Sequence, residues 1–306
     1  MKPKKINILF LTSLTLLFSQ NSFSMGARRP KPAPTPAITP KPIPTPTKSP
    51  VVIGPTPYAD QIKELASIST CANYNWKNRG TAPIGYVKGM ALSFARSYCR
   101  LKKTNATPDS LVRIMSAANS HLDLTDALAH YQDIFASMSF AIDSNGMGPL
   151  LSLYTLGMGL GMRESSGSYC EGWDTSAGSN RSSNTGEAGL FQTSYDSMTA
   201  SIELSKLYTE YQANPNRCFL NTFKEGVRCS QNSILGSGPG ADFQVFTKAC
   251  PAFATEYAMT MLRIRRNHYG PINRKEAEVT SACNQMFLNV KDLINQDIQN
   301  TCLEIY

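Results

Sequence analysis

"YTLGMGLGMRESSGSYCEGWD", residues 154–174, leads an apolar, glycine-studded run into one glutamate, Glu164, and then into Ser-Ser-Gly. Extended back through "GPLLSL", the run carries apolar residues at three- and four-residue steps and predicts a helix. Pro149 suits its first turn, and Gly167 is placed to end it. Gly157, Gly159 and Gly161 each cost about 1 kcal/mol relative to Ala inside a helix, which implies a close approach by something else. Gly157 and Gly161 share a face, so a packed neighbouring helix accounts for them. The spacing is not that of a dinucleotide loop, because the third glycine spacing and a preceding strand are missing. Glu164 then falls in the last turn, where the helix end is partly negative. That position and apolar neighbours both disfavour a charged carboxyl, which makes Glu164 a candidate proton donor. A solvated surface charge is the competing reading of any single helix-end Glu.

Outward from this helix the pattern stays helical. "ADQIKELASI", "IGYVKGMALSFARSYCRLKK", "LTDALAHYQDIFASMSFAI", "MTASIELSKLYTEYQ" and "FATEYAMTMLRIRRNHY" share its periodicity. Residues 273–302 read as one or two closing helices. Asp109 and Asp123 read as N-caps. Neither convincing alternating strands nor a long internal repeat is evident, so the expected fold class is all-α to mostly-α. Residues 165–195 break the pattern, being rich in Ser, Gly, Asn and Thr. A loop of that length between helices is uncommon unless it has a role, and it has room for a small hairpin.

The ends differ from the middle. Lys2, Lys4 and Lys5 precede an apolar run over residues 6–18 and then "SQNSFSM", the pattern of a signal peptide (1–24) cut after Ser24. The apolar run is short for a bilayer span, so no stable membrane anchor is expected. Residues 25–57 read as a Pro-rich linker, with 11 of the 19 prolines between positions 30 and 57. The stretch from Pro30 to Pro57 favours polyproline II and reaches roughly 85 Å. Residues 58–306 are expected to form one domain. Net charge is +8, but residues 1–57 hold eight Lys and Arg and no acid, which leaves 22 of each sign beyond them. The basic balance therefore gives no support for nucleic acid as a partner.

The eight cysteines, Cys71, Cys99, Cys170, Cys218, Cys229, Cys250, Cys283 and Cys302, all follow residue 58. An even count behind a secretory signal predicts four disulfides and a secreted or periplasmic location. Zinc is the weaker reading, with no C-x-x-C and only three His. No metal and no cofactor are implied. Cys170 is read as a disulfide pinning the loop beside Glu164, in preference to a nucleophile served by His268.

The motif order "RESSG", "EGWD", "GEAGLFQTSYD" resembles the lysozyme-like superfamily, especially goose-type lysozymes and soluble lytic transglycosylases. Matching positions are Arg163, Glu164, Ser165, Trp173, Gly186, Gly189, Leu190, Phe191 and Gln192. More narrowly it resembles the secreted lysozymes of predatory bacteria that favour deacetylated peptidoglycan. The sharp motif covers about 30 residues, as two ordered halves. The resemblance implies a lysozyme-like helical domain, disulfide-stabilised, with a loop-rich active-site segment. It implies cleavage of β-1,4 bonds in peptidoglycan glycan strands by a monomer, with Glu164 as general acid. Ser165, Trp173, Gly189, Phe191, Gln192 and Tyr269, in "RRNHYGP", would contact substrate.

The goose-type pattern has an Asp two places after the motif Gln, where this chain has Ser194. An inverting hydrolase needs a base to activate water. Asp174 and Glu187 are the candidate second acids, with Asp196 a further one. Without a second acid, the sugar's own hydroxyl would attack, as in lytic transglycosylases. Five acids (Glu164, Glu171, Asp174, Glu187, Asp196) and one base, Arg181, lie between residues 164 and 196. A groove of that charge would favour glucosamine over an N-acetyl sugar. A non-catalytic glycan-binding module on the same fold is the alternative. There is no H-E-x-x-H, P-loop or G-x-S-x-G.

Overall fold

A computed structural model describes residues 57–103, 109–175, 181–230 and 232–306. The expected signal peptide, and all of the expected linker except Pro57, lie outside the described residues. The described chain is mostly helical. In order come α1 (Tyr58–Ser67), β1 (Asn75–Trp76), β2 (Gly80–Thr81), α2 (Ile84–Lys102), α3 (Ser110–Met115), α4 (Ala127–His130), α5 (Gln132–Ser137) and α6 (Met147–Ser165). Then follow α7 (Ile202–Ala213), α8 (Leu220–Phe223), α9 (Pro239–Ala249), α10 (Pro251–Ile264), α11 (Gly270–Asn273), α12 (Ser281–Gln296) and α13 (Ile298–Ile305).

α6 is buried on all sides from Ser152 to Met162, as expected of a helix apolar all round. α2, α10 and α12 pack against it and against one another through α2. Its glycines admit these neighbours. A Cβ on Gly157 would meet the Met259 side chain of α10 at 2.5 Å, and one on Gly159 would collide with the Glu278 carbonyl just before α12. At Gly161 the contact is the Tyr86 hydroxyl of α2, which donates to the carbonyls of Gly157 and Met158 at 3.1 and 2.9 Å. Close packing thus offsets the propensity cost of three helical glycines.

Four disulfides, Cys71–Cys283, Cys99–Cys302, Cys170–Cys229 and Cys218–Cys250, join distant stretches. The first two tie α12 and α13 back to the N-terminal half. A buried ion pair fixes the segment before α6. Arg263 of α10 donates to both carboxylate oxygens of Asp126 at 2.9 and 3.0 Å, and to the carbonyls of Ile114, Met115, Ala117 and Ala118. With every donor direction used, the desolvation cost of the pair is largely offset.

Three expectations are corrected. The stretch "LTDALAHYQDIFASMSFAI" is two short helices, α4 and α5, separated at Tyr131. Their cap is Asp126, whose side chain accepts from the Leu128 amide; Asp123 pairs with His130 and Arg266 instead. A two-stranded sheet exists at 75–81, with Trp76 opposite Gly80, and the described residues of 165–195 hold a single bridge, Ala188 to Thr193, and no hairpin strands. Asp109 does cap α3, accepting from Leu111 at 2.9 Å.

Candidate active site

α6 ends where the sequence turns polar. Ser166 takes the left-handed conformation, and the amides of Ser166 and Gly167 close on the carbonyls of Met162 and Gly161 at 3.1 and 3.2 Å. Gly167 itself has φ +76° against the Tyr86 ring, a conformation open to glycine without strain. Glu164 therefore sits in the last turn and is partly buried. Burial, and secondarily the charge of Glu187, raise its carboxyl to about 8, opposed by Arg274, Arg79 and Arg163. The negative helix end acts in the same direction as burial.

Ser165 joins the two halves of the sequence motif. Its hydroxyl donates to the Leu190 carbonyl at 2.8 Å and to Gly161 of its own helix at 3.1 Å. The turn it holds runs over residues 188–193. Gly189 and Gln192 both have positive φ, +77° and +46°. The Gly189 amide donates to the Glu171 carbonyl at 2.9 Å. Gln192 Nε2 donates to the carbonyls of Gly189 and Gly172 at 3.0 and 3.3 Å, so the turn is bonded next to Trp173, which is half-buried. Cys170–Cys229 anchors the start of this loop.

Tyr269 is 1 % exposed, and its hydroxyl has no hydrogen-bond partner. Glu164 and Glu187 both act on it electrostatically, after burial and Tyr257, to raise its pKa. A buried hydroxyl left without a partner is a place for an ordered water, and at this burial Tyr269, an expected substrate contact, presents almost no surface.

Glu187 lines a cleft of about 200 Å³ with Arg181, Thr185, Ser194, Asp196, Ser197, Arg265 and His268. Larger cavities exist, one of about 770 Å³ beside Tyr306, but none of the candidate site residues lines it. Burial, with the charges of Asp196 and Asp174, raises the Glu187 carboxyl to about 7 against the pull of Arg181. Its side chain is 47 % exposed at the rim, so water screens this shift more than that of Glu164. Asp174 is exposed and reaches the cleft through its field at Glu187. Ser194 is buried, and its hydroxyl donates to the Asp196 carboxylate at 2.6 Å. The serine thus holds in the cleft a carboxylate two residues further on.

Two expected substrate contacts face elsewhere. The Phe191 side chain is fully buried in the hydrophobic core, because the turn that exposes Gln192 sends its neighbour inward. Ser165 is 6 % exposed and serves as the latch to Leu190. Conversely, sequence reading missed Arg79, Arg274 and the role of His268. Arg79, in the turn between β1 and β2, donates to the Arg163 carbonyl at 2.6 Å and to Ser166 Oγ at 3.2 Å. A cation on the carbonyl end of α6 suits the helix dipole. Its only sequence signal is the "KNRG" turn.

Ser165→Ala removes one bond of the latch. The Leu190 carbonyl then loses its donor, and a loss of about 1 kcal/mol in urea unfolding is expected.

Among the described residues, no three of His, Cys, Asp and Glu converge to hold a metal ion. No family model, curated protein or solved structure matches this chain.

Proposed function

We propose that this protein is a secreted glycosidase that cleaves β-1,4 bonds of peptidoglycan glycan strands, on a lysozyme-like domain, with Glu164 as general acid. The observation that carries the reading is the bond from Ser165 to Leu190, 25 residues on. It ties the end of α6, one residue after the acid, to the glycine–glutamine turn, which supports the resemblance. The protonated carboxyl of Glu164 supports it, because a leaving glycosidic oxygen needs a proton near neutral pH. The disulfides agree with an oxidising compartment, and among the described residues no helix is long and apolar enough to cross a membrane.

In the reaction, Glu164 gives its proton to the glycosidic oxygen as the bond to the anomeric carbon breaks. Glu187, with its carboxyl half-ionised near pH 7, is the leading base for water. Asp196, held by Ser194, and Asp174 tune its charge. If no base engages water, the sugar's own hydroxyl attacks and the product is an anhydro sugar. Glu171, Asp174, Glu187 and Asp196 along the loop would attract the free amine of glucosamine, which favours a deacetylated strand.

A non-catalytic glycan-binding module is the second reading, favoured by Ser194 in place of the family Asp. Clearing of purified wall sacculi by the wild-type protein separates the two. A falling turbidity with release of soluble sugar supports the enzyme; binding to sacculi with neither change supports the module.

A further inference from the structure

His268 stands in the short turn Arg266–His268 that follows α10, between the two halves of the site. Its side chain is 12 % exposed, and its ring meets Tyr269 edge-on at 4.9 Å between centroids. The Gln192 backbone faces the ring and favours its protonated form. Of the backbone groups only a carbonyl oxygen does this, so the nitrogen facing it carries the hydrogen in the neutral ring. The other nitrogen, Nε2, is buried with no hydrogen-bond partner. It lies 3.7 Å from Oε1 of Glu187. In the neutral ring Nε2 is thus a bare acceptor, and the exposed Glu187 side chain has the freedom to close that gap.

We propose that His268 is a positioning residue for Glu187: Nε2 accepts the Glu187 proton, and the Gln192 carbonyl fixes the tautomer that makes this possible. The inference rests on reading the cleft as a glycosidase site, but the pairing itself is a property of the free protein. Other charged groups face the pair from every side. Arg265 and Asp196 act on the ring, while Arg181, Asp196 and Asp174 act on Glu187. Glu164 is coupled to Glu187. Burial lowers the ring's pKa from its ordinary value and raises that of Glu187, so both favour one shared proton with no separated charge.

In turnover, water loses a proton to Glu187 as its oxygen bonds to the anomeric carbon. The glycosidic bond breaks, and its oxygen takes the Glu164 proton. The proton received by Glu187 is shared with Nε2 and returns to solvent through the cleft. The Gln192 carbonyl also couples this pair to the turn that Ser165 latches, so base and acid share one scaffold.

Long-range 1H–15N NMR of the full chain reads the pair directly. Only three His are present, and His268→Gln identifies the signal that disappears. The expected neutral form carries its hydrogen on Nδ1, and Glu187→Gln lowers the His268 pKa by about half a unit or more as a nearby negative charge is lost. A neutral form protonated on Nε2, or a His268 pKa unmoved by Glu187→Gln, overturns the proposal. Glu187 is exposed, so that variant is expected to fold. The His268→Gln pH–rate profile gives a second readout. Its acidic limb is expected at lower pH than in wild type, because Glu187 loses the acceptor that helps hold its proton; an unmoved limb contradicts the pairing. If wild type cleaves nothing, the glycosidase reading fails, and the tautomer and the Glu187→Gln shift still judge the pair.

Discussion

Glu164→Gln is expected to lower kcat for glycan cleavage by about 10²–10⁴-fold, with KM little changed. The substitution keeps the shape of the side chain and removes only its transferable proton. Glu164 caps no helix and makes no latch; Ser165 does that, so the turn at residues 188–193 keeps its place. The loss is confined to the chemical step. The wild-type pH–rate profile should be a narrow bell. Glu187 must be ionised, above about 7, and Glu164 must be protonated, below about 8. The two carboxyls are coupled, so the limbs report the pair and not either residue alone. Steady-state rates on soluble strands between pH 5 and 10, taken as a range of about five units around these values, check both points. A Gln variant within a few-fold of wild type contradicts the assignment of the acid.

The same substitution is expected to stabilise the protein at alkaline pH. Folding raises the Glu164 carboxyl from 4.5 to about 8. Below the unfolded value both states are protonated, and the carboxyl costs nothing. Between the two values the unfolded chain ionises while the folded one does not, so stability falls as pH rises. Above about 8 the full cost of a buried charge is present. Gln never ionises and never incurs it. Unfolding by urea should show the two proteins alike near pH 4, with the variant ahead by on the order of 3 kcal/mol near pH 9. A flat difference across that range would make Glu164 an ordinary solvated surface charge. The prediction couples the two roles: the burial that prepares the proton donor also weakens the fold, and removing the carboxyl trades activity for stability.

Much of the fold was legible because its signals are local and periodic. The apolar steps of α2, α6, α10 and α12 and the Asp109 cap depend on residues close in sequence, and the even cysteine count needs composition alone. The glycines of α6 were legible as close approaches, though not their neighbours. Helix breaks were not. Asp123 and Asp126 offer the same capping chemistry three residues apart, and tertiary partners His130 and Arg266 decide between them. The β1–β2 hairpin escaped because two-residue strands carry no alternation to read.

The site divides in the same way. The burial of Glu164 was legible because the last turn of an apolar helix disfavours a charged carboxyl, although a solvated surface charge was the competing reading. The closeness of the two motif halves agrees with their order, since Gly189 and Gln192 share the turn that Ser165 holds. The facing of Ser165 and Phe191 was not legible, since a tight turn sends adjacent side chains to opposite sides and the sequence does not say which is inward. His268 was read only as a possible base for Cys170, and nothing local tied it to Glu187. Its place comes from α10 ending beside the turn at residues 188–193, a contact across some 75 residues of sequence, and such contacts leave no local trace.

The most direct test is mass spectrometry of products from native and chemically deacetylated peptidoglycan, treated with wild type and with Glu164→Gln. The account predicts cleaved disaccharide units from wild type and essentially none from the variant. Reducing ends would mean water attack through Glu187, anhydro ends attack by the sugar itself, and a greater yield from the deacetylated wall an acidic groove at work. Intact strands from both substrates with wild-type protein would contradict the account.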